Sequence, residues 1–254
     1  MRYPDATETQ ADFFREHGWL VVEDAIAPDE VAEVGRRMEI ILLRKEKLAF
    51  DWAWEKGKTK EARDFKIVQG SPTLVWREIA QQPFRRWALA FAAALLGKPV
   101  EFWYDQFLAK PPRDGAPTYW HQDEGYWGRN LDGLGLTCWL PLHDVDETNG
   151  CMCFIDRGHR DGILEHFHPE HIQSDLLYCE PDLARRIACP IRAGSVTFHH
   201  GKTPHMTPPN KSESWRRAVT THMRVEGSPG EGDHFPWKTY VNQLTGETIV
   251  PPRR

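Results

Sequence analysis

The sequence changes its hydrophobic period near Val100, and this change limits the folds open to the chain. Before that point, apolar residues recur every three or four positions, which predicts helices over 10–17, 28–48 and 83–96 and one strand over 19–22. After it, short apolar or aromatic runs alternate with Gly, Pro, Asp and Asn turns, a pattern typical of strands. The predicted strands cover 100–109, 118–122, 135–142, 151–155, 187–191, 195–199, 203–206 and 217–225. Helices followed by many short strands predict a mainly β fold, a cupin-like jelly-roll barrel (double-stranded β-helix) buttressed by N-terminal helices.

The length of 254 residues suits a single domain of this kind. We expect one domain over 1–254. It comprises a mostly helical part (1–99), a jelly-roll core (100–225) and a C-terminal tail (226–254).

Composition narrows the classes of partner. The chain has 32 Lys and Arg against 37 Asp and Glu, a net charge of −5, and its Arg pairs are scattered. It therefore lacks the basic footprint of a nucleic-acid binder. No apolar run approaches a membrane span, and five cysteines without a CxxC pair indicate reduced thiols. We expect a cytoplasmic protein with a small-molecule substrate and with neither nucleic acid nor membrane as partner, while its oligomeric state stays open.

Three residues could hold one metal ion. His121 lies in the predicted strand 118–122 and Asp123 directly follows that strand; residues two apart on an extended chain face the same way, so both side chains could bind one ion. His205 follows on a later strand. Two histidines and one carboxylate, with the remaining coordination positions open, are the ligand set of non-haem Fe(II) oxygenases, whereas a structural zinc site closes its shell with four protein ligands.

A dicarboxylic co-substrate would need a cation at its far end. Arg216 lies on the strand predicted to run back beside His205, and its guanidinium can bind a carboxylate through two hydrogen bonds. Alternation alone does not settle whether Arg216 or Arg217 points inward. Thr207 could add a hydroxyl hydrogen bond.

Several landmarks in order resemble the phytanoyl-CoA dioxygenase (PhyH-like) branch of the Fe(II)/2-oxoglutarate oxygenases. The resemblance spans about residues 13–225. Its landmarks are Lys-Pro-Pro at 110–112, Trp-His-Gln-Asp at 120–123, 137–142, 149–155, Gly-His at 158–159 and 194–217.

The resemblance implies that His121, Asp123 and His205 are the iron ligands and that Fe(II), 2-oxoglutarate and O2 are required. Halogenating relatives lack the carboxylate, so the presence of Asp123 implies hydroxylation.

The resemblance also implies a co-substrate site. Arg216 would bind the side-chain carboxylate of 2-oxoglutarate, with Gln106, Trp139 and Thr207 beside the molecule. Lys66 resembles an upstream lysine that reaches the co-substrate in some members.

One turn departs from the family pattern. Where relatives commonly have Pro-Gly-Ser-His, residues 156–159 read Asp-Arg-Gly-His. The long connection that follows is typical of a binding lid. It carries His166, His168 and His171, which are open to two interpretations, a solvated polar loop or a second metal site, and we favour the first.

Other residues near the motif have both structural and functional interpretations. His199 and His200 alternate across a strand, so one is expected to face the barrel interior near the iron, and we favour a core histidine with a structural role over a functional one. Tyr126 and Trp127 are candidate substrate contacts, as are Trp52 and Trp54, although such aromatic residues can also simply fill a barrel.

The sequence therefore predicts a dioxygenase that hydroxylates an unactivated C–H bond of a free small molecule, a natural-product or catabolic intermediate, and releases succinate and CO2. The same chemistry could give desaturation, ring closure or epoxidation. A cupin-type enzyme using zinc or manganese without oxidation, or a binding module, are further alternatives.

Overall fold

The computed structural model of the protein describes residues 2–51, 54–55, 65–127, 134–170, 172–173 and 176–228. Several sequence predictions concern other residues. Trp52, His171 and the tail from residue 229 lie outside the described part, and so does the side chain of Trp54.

The helices begin and end at sequence signals. In α1, Thr7 accepts a hydrogen bond from the backbone of Gln10 and the Gln10 side chain accepts one from the backbone of Thr7, while Gly18 ends the helix with a positive φ of 80°. The predicted helix over 28–48 is divided at Arg44, where the backbone leaves helical geometry. No described helix has both the length and the apolar character needed to cross a membrane. The α-helices are α1 (Glu8–His17), α2 (Pro28–Leu43), α3 (Lys45–Leu48), α4 (Pro72–Val75), α5 (Pro83–Leu96) and α6 (Asp123–Trp127).

The strands fall close to the predicted positions, with three short additions before Val100 and one after it. In chain order they are β1 (Trp19–Val22), β2 (Phe50–Asp51), β3 (Trp54–Glu55), β4 (Val68–Gly70), β5 (Val100–Lys110), β6 (Thr118–His121), β7 (Gly135–Pro141), β8 (Met152–Ile155), β9 (Ile172–Gln173), β10 (Arg186–Cys189), β11 (Val196–His200), β12 (His205–Thr207) and β13 (Arg216–Val225).

Two antiparallel sheets form the barrel within the described part of the chain. The larger has the order β1-β11-β7-β13-β5-β4-β2 and the smaller has the order β10-β8-β12-β6, while β3 and β9 pair separately. Sequence-distant strands lie side by side in both sheets, as in a jelly roll. The predicted fold class is confirmed, and β1, β2 and β4 show that the N-terminal part also contributes strands to the larger sheet.

Two apolar cores lie on opposite faces of the larger sheet. One packs α1, α2 and α5 onto its outer face through residues such as Phe91 and Phe198, whose rings stack 5.0 Å apart. The other fills the space between the sheets with Trp139 and Phe154. The helices thus support one face of the barrel and leave its interior to the site residues.

The unusual turn over 156–159 fastens α1 to the barrel. Asp156 Oδ1 lies 2.6 Å from His17 Nδ1 and accepts a hydrogen bond from Trp19 Nε1 at 3.2 Å. Arg157 donates to Glu16 at 2.7 Å, and its backbone N–H donates to the His17 carbonyl. The charged residues that depart from the family pattern therefore have a structural role at the end of α1.

Candidate metal and co-substrate site

Three elements bring the predicted metal ligands together. His121 ends β6 and His205 begins β12, and these two residues are direct partners in the antiparallel pairing of the two strands. The sequence predicts strand geometry at Asp123. In the structure Asp123 is instead the first residue of α6. The chain turns after His121, and this turn, rather than strand alternation, directs the carboxylate toward the imidazoles.

The ligand atoms face one another. One ligand atom from each of His121, Asp123 and His205 lies within 4.8 Å of the others. Asp123 Oδ1 is 3.9 Å from His121 Nε2 and 3.7 Å from His205 Nε2. The Nδ1 atoms lie 2.7 Å from the Tyr119 carbonyl and 3.0 Å from the Thr203 carbonyl, so each Nδ1–H donates there and each Nε2 keeps its lone pair. We call these three residues the metal end of the site.

The second oxygen of Asp123 is held by residues on other strands. Asp123 Oδ2 accepts a hydrogen bond from Thr137 Oγ1 at 2.6 Å and lies 3.2 Å from His199 Nε2. Thr137 Oγ1 is in turn 2.8 Å from His222 Nδ1, and His222 Nε2 is 3.0 Å from Gln106 Oε1. These contacts fix the orientation of the carboxylate so that Oδ1 stays directed at the imidazoles.

Burial and mutual charge set the protonation of the metal end. Burial lowers the pKa of His121, and it lowers the pKa of His205 well below the usual value, with His121 adding to the effect on His205. Burial by itself would raise the pKa of Asp123, but His205 and the hydrogen bond from His199 outweigh it and hold this pKa well below its usual value. Neutral imidazoles and an ionised carboxylate are the forms that bind a metal.

A second group of buried polar residues lies farther along the same strands. Arg216 points inward with 1 % of its surface exposed. Its Nη1 and Nη2 donate weakly, at 3.5 Å, to the Leu108 carbonyl and to Thr207 Oγ1, and its guanidinium carbon lies 5.9 Å from the Trp139 ring centre. Burial lowers the pKa of Arg216 to about 10, so the side chain stays charged at neutral pH. Arg217 instead pairs with Glu39 on α2 at 3.2 Å.

Lys110, which the sequence offered only as part of a family landmark, lies with Arg216. The ammonium is fully buried at the end of β5 and donates to three oxygens, the Thr207 carbonyl at 3.0 Å, Thr207 Oγ1 at 2.7 Å and the Pro208 carbonyl at 2.8 Å. Burial lowers its pKa well below the usual value, and Arg216 adds to this effect. We call Lys110, Thr207 and Arg216 the cationic end of the site.

The two ends are joined by strand geometry. His205 and Thr207 lie two apart on β12, and Thr137 and Trp139 lie two apart on β7. His205 belongs to the metal end and Thr207 to the cationic end. On β7, Thr137 donates to Asp123, and the ring of Trp139 lies beside Arg216. Two strand residues span about 7 Å, which is the scale of a short dicarboxylic acid.

Other predicted co-substrate residues are placed differently. Gln106 reaches the site through His222, as described above. Lys66 forms an ion pair with Asp114, and no contact among the described residues joins it to either end. Its predicted role therefore stays a prediction that this pairing does not support.

The aromatic candidates form a wall beside the metal end. Tyr126 lies edge-on to His121 with ring centres 5.5 Å apart, and its hydroxyl accepts a hydrogen bond from the Leu177 N–H at 2.7 Å. Trp127 is buried, donates to Tyr104 OH at 2.6 Å and lies edge-on to His222. Tyr126 thus connects a metal ligand to the long connection after β8, whereas Trp127 packs within the wall.

The other histidines named in the sequence analysis differ in whether they face the metal end. His199 is the member of its pair that faces the metal end, while His200 accepts a hydrogen bond from the Lys202 N–H. His166 anchors the long connection, since its Nε2 accepts from the backbone of Gln122 at 3.1 Å between the two metal ligands. His168 is exposed. Sequence patterns gave no separate signal for His222, because its role depends on a strand far from Asp123 in the chain.

The residues present fit an iron ion. The two free Nε2 atoms and Asp123 Oδ1 supply three ligands from one side, and the described residues place no fourth His, Cys, Asp or Glu in this group. A jelly roll with this ligand set and a buried cation for a carboxylate defines the class of non-haem iron oxygenases that use a 2-oxo acid.

Comparison with known protein families places the chain in the same class of oxygenases. The family model "Phytanoyl-CoA dioxygenase (PhyH)" matches residues 14–218, so the chain belongs to this family. The protein is thus an Fe(II)- and 2-oxoglutarate-dependent oxygenase, and the family predicted from the sequence is confirmed.

Individual relatives cover nearly all of the chain. A probable alpha-ketoglutarate-dependent hypophosphite dioxygenase from Stutzerimonas stutzeri is 26 % identical, over 97 % of this chain and 88 % of that protein. EvdO2 from Micromonospora carbonacea var. aurantiaca, solved with 2-oxoglutarate, has a TM-score of 0.70 at 24 % identity and matches 92 % of this chain and 97 % of its own. The epimerase SnoN, solved with Fe3+, alpha ketoglutarate and nogalamycin RO, has a TM-score of 0.70 at 22 % identity over 97 % of this chain and 93 % of its own. At these identities the two structures show a shared fold.

Proposed function

We propose that the protein hydroxylates an unactivated C–H bond of a small organic molecule. The observation that carries this proposal is Asp123, whose carboxylate faces His121 and His205 and is held there by Thr137 and His199. Iron and 2-oxoglutarate, when bound, supply with O2 the oxidising power that inserts one oxygen atom into the substrate, and the co-substrate leaves as succinate and CO2. With a protein carboxylate in the third ligand position, halide has no reserved place at the metal.

The chain's own residues bind, orient and exclude water. His121, Asp123 and His205 would hold the metal, and Arg216 with Thr207 would hold the distal carboxylate of the co-substrate. Trp139, 2 % exposed, shields this carboxylate from water and so strengthens its attraction to Arg216. Tyr126 lies beside His121 and is our candidate for the residue that orients the substrate.

The substrate is proposed to be a free natural-product or catabolic intermediate. The wall of Trp103, Tyr104, Tyr126 and Trp127 beside the metal end is suited to an apolar or ring-containing molecule. The hypophosphite dioxygenase similar to this chain gives a second kind of candidate, a small phosphorus oxyanion. The proposed cellular location of the protein is the cytoplasm, since all five cysteines are free thiols.

The co-substrate step is tested without any substrate. Fe(II) protein is titrated with 2-oxoglutarate in the absence of oxygen, and a visible metal-to-ligand charge-transfer band is expected. The absence of the band in protein that binds Fe(II) would contradict the proposal and favour a non-oxidative metal enzyme or a binding module.

The finer reaction is tested by a substrate screen. Organic candidates and hypophosphite are compared for their stimulation of oxygen-dependent succinate formation, and products are identified by mass and NMR. A product with one added hydroxyl at a saturated carbon supports hydroxylation. A product that has lost two hydrogens would show desaturation or ring closure instead of hydroxylation, and an epoxide would show epoxidation. Formation of phosphite from hypophosphite would show that the substrate is a phosphorus oxyanion and not an organic molecule.

A further inference from the structure

The cationic end holds two buried basic side chains that no described carboxylate neutralises. Lys110 and Arg216 are 0 % and 1 % exposed. Neither forms an ion pair with a described Asp or Glu, in contrast to the equally buried Arg85, which pairs with Asp105 at 2.9 Å. Buried charges are normally paired, so this end of the site is complementary to an anion.

The hydrogen-bond donors of Lys110 and Arg216 converge on the Thr207 hydroxyl. The Lys110 ammonium has three N–H donors and three oxygen neighbours, one of which is Thr207 Oγ1 at 2.7 Å. Arg216 Nη2, also only a donor, approaches the same hydroxyl at 3.5 Å. With Lys110 in its ammonium form, Thr207 Oγ1 accepts from both side chains, so its own proton is directed away from both of them.

No described group accepts that proton. Thr207 is 5 % exposed, and no hydrogen bond donated by its hydroxyl is formed within the described part of the chain. Arg216 Nε is likewise buried without a hydrogen-bond partner among the described residues. Two unused donors on buried side chains that contact each other form a site for a carboxylate.

We propose that Lys110 is a positioning residue of the co-substrate site, which orients the Thr207 hydroxyl so that it donates to the distal carboxylate bound by Arg216. Lys110 uses all three of its donors within the protein and therefore acts through Thr207 rather than by touching the co-substrate. This inference rests on the proposed function, because it takes the anion to be the distal carboxylate of 2-oxoglutarate.

The test measures binding rather than turnover. Mn(II)-loaded protein is titrated calorimetrically with 2-oxoglutarate and with 2-oxopentanoate, which has the same chain length but lacks the distal carboxylate. For Lys110→Met and for Thr207→Val we expect 2-oxoglutarate to bind about tenfold more weakly or worse, the effect of losing one hydrogen bond to a charged group, and 2-oxopentanoate to change less than about twofold.

A double-mutant cycle separates positioning from charge alone. If Lys110 acts through Thr207, the variant with both Lys110→Met and Thr207→Val binds 2-oxoglutarate about as weakly as the weaker single variant. Losses that multiply, or a Lys110→Met variant that weakens both ligands equally, would overturn the proposal.

A second pair of variants covers failure of Lys110→Met to fold. Thr207→Ser keeps the hydroxyl and is expected to bind 2-oxoglutarate within about threefold of the wild type, while Thr207→Val is not. Equal affinities of these two variants would overturn the role of the hydroxyl. Wild-type protein that binds metal but not 2-oxoglutarate would instead overturn the proposed function itself, and the role of Lys110 with it.

Discussion

The metal end and the cationic end of the site differ in how their buried charges are balanced. At the metal end, Asp123 is the single described carboxylate, and four histidines besides Thr137 surround it, at 3.2 to 3.9 Å from its two oxygens. At the cationic end, Lys110 and Arg216 contact hydroxyl and carbonyl oxygens but no described carboxylate. The first end is arranged for a cation and the second for an anion.

One barrel can hold opposite electrostatic sites a short distance apart when strands, rather than loops, carry both. β7 and β12 each place one residue at either end. A rigid spacing of this kind suits a ligand that bridges the two, with one end on the metal and a carboxylate on Arg216.

The largest effect is expected when the single carboxylate of the metal end is removed. Asp123→Ala leaves two neutral imidazoles, and we expect metal affinity to fall by more than about 100-fold, beyond the loss typical for residues that only support a ligand. Metal content after dialysis and Mn(II) titration measure this. Asp12→Ala, an exposed carboxylate on α1, is the matched control and should bind metal normally. Wild-type affinity in Asp123→Ala would show that another residue replaces it.

The next largest effect concerns the cationic end. Arg216→Ala removes the principal partner of the distal carboxylate, and 2-oxoglutarate is expected to bind about 100-fold more weakly while Mn(II) affinity stays unchanged. Calorimetry with each ligand separates the two effects. Arg217→Ala, next in sequence but paired with Glu39, serves as control. A larger loss in Arg217→Ala than in Arg216→Ala would reverse the assignment of which arginine faces inward.

Acid should destabilise the folded protein through the buried histidines in and around the metal end. Burial lowers the pKa of His222 from 6.5 to about 3, so the folded protein keeps this residue neutral where the unfolded chain protonates it. Its contribution to stability is complete above pH 6.5 and is lost as pH falls toward 3. Between pH 7.5 and 5.5 the metal-free protein should lose about 1 kcal/mol of unfolding free energy for this residue, with a further loss from His121 and His205. Urea unfolding with EDTA measures it, and equal stability at both pH values would show that the histidines are not buried as described.

The smallest effect is expected at Lys66. Because its ammonium pairs with Asp114 and its side chain is 25 % exposed, Lys66→Met should change 2-oxoglutarate affinity by less than about threefold. The same titration used for Arg216→Ala provides the scale. A loss as large as that of Arg216→Ala would restore the role that the family resemblance implies for Lys66.

Much of the fold was predictable because its signals are local. Strands β1 and β5 to β13, apart from the short β9, lie within two residues or so of the predicted runs. Helix α5 ends at Leu96 as predicted, and Gly97 directly after it has a positive φ of 63°. The short strands β2, β3 and β4 were not predicted, since two or three residues carry no period. The division of the helix at Arg44 was also missed, because residues 44–47 are Arg, Lys and Glu, which favour helices, and neither Gly nor Pro marks an end there.

The sequence by itself determined the jelly-roll class, the family and the three candidate metal ligands, because period, turn residues and motif order are properties of the chain alone. Only the tertiary structure decided that Asp123 begins a helix, that Arg216 rather than Arg217 faces inward, and that Lys110 lies against Thr207. The physical reason is distance along the chain. The partners of Asp123 at Thr137, His199 and His222, and of Lys110 at Thr207, come from strands that are remote in sequence and meet only when the two sheets close around the site.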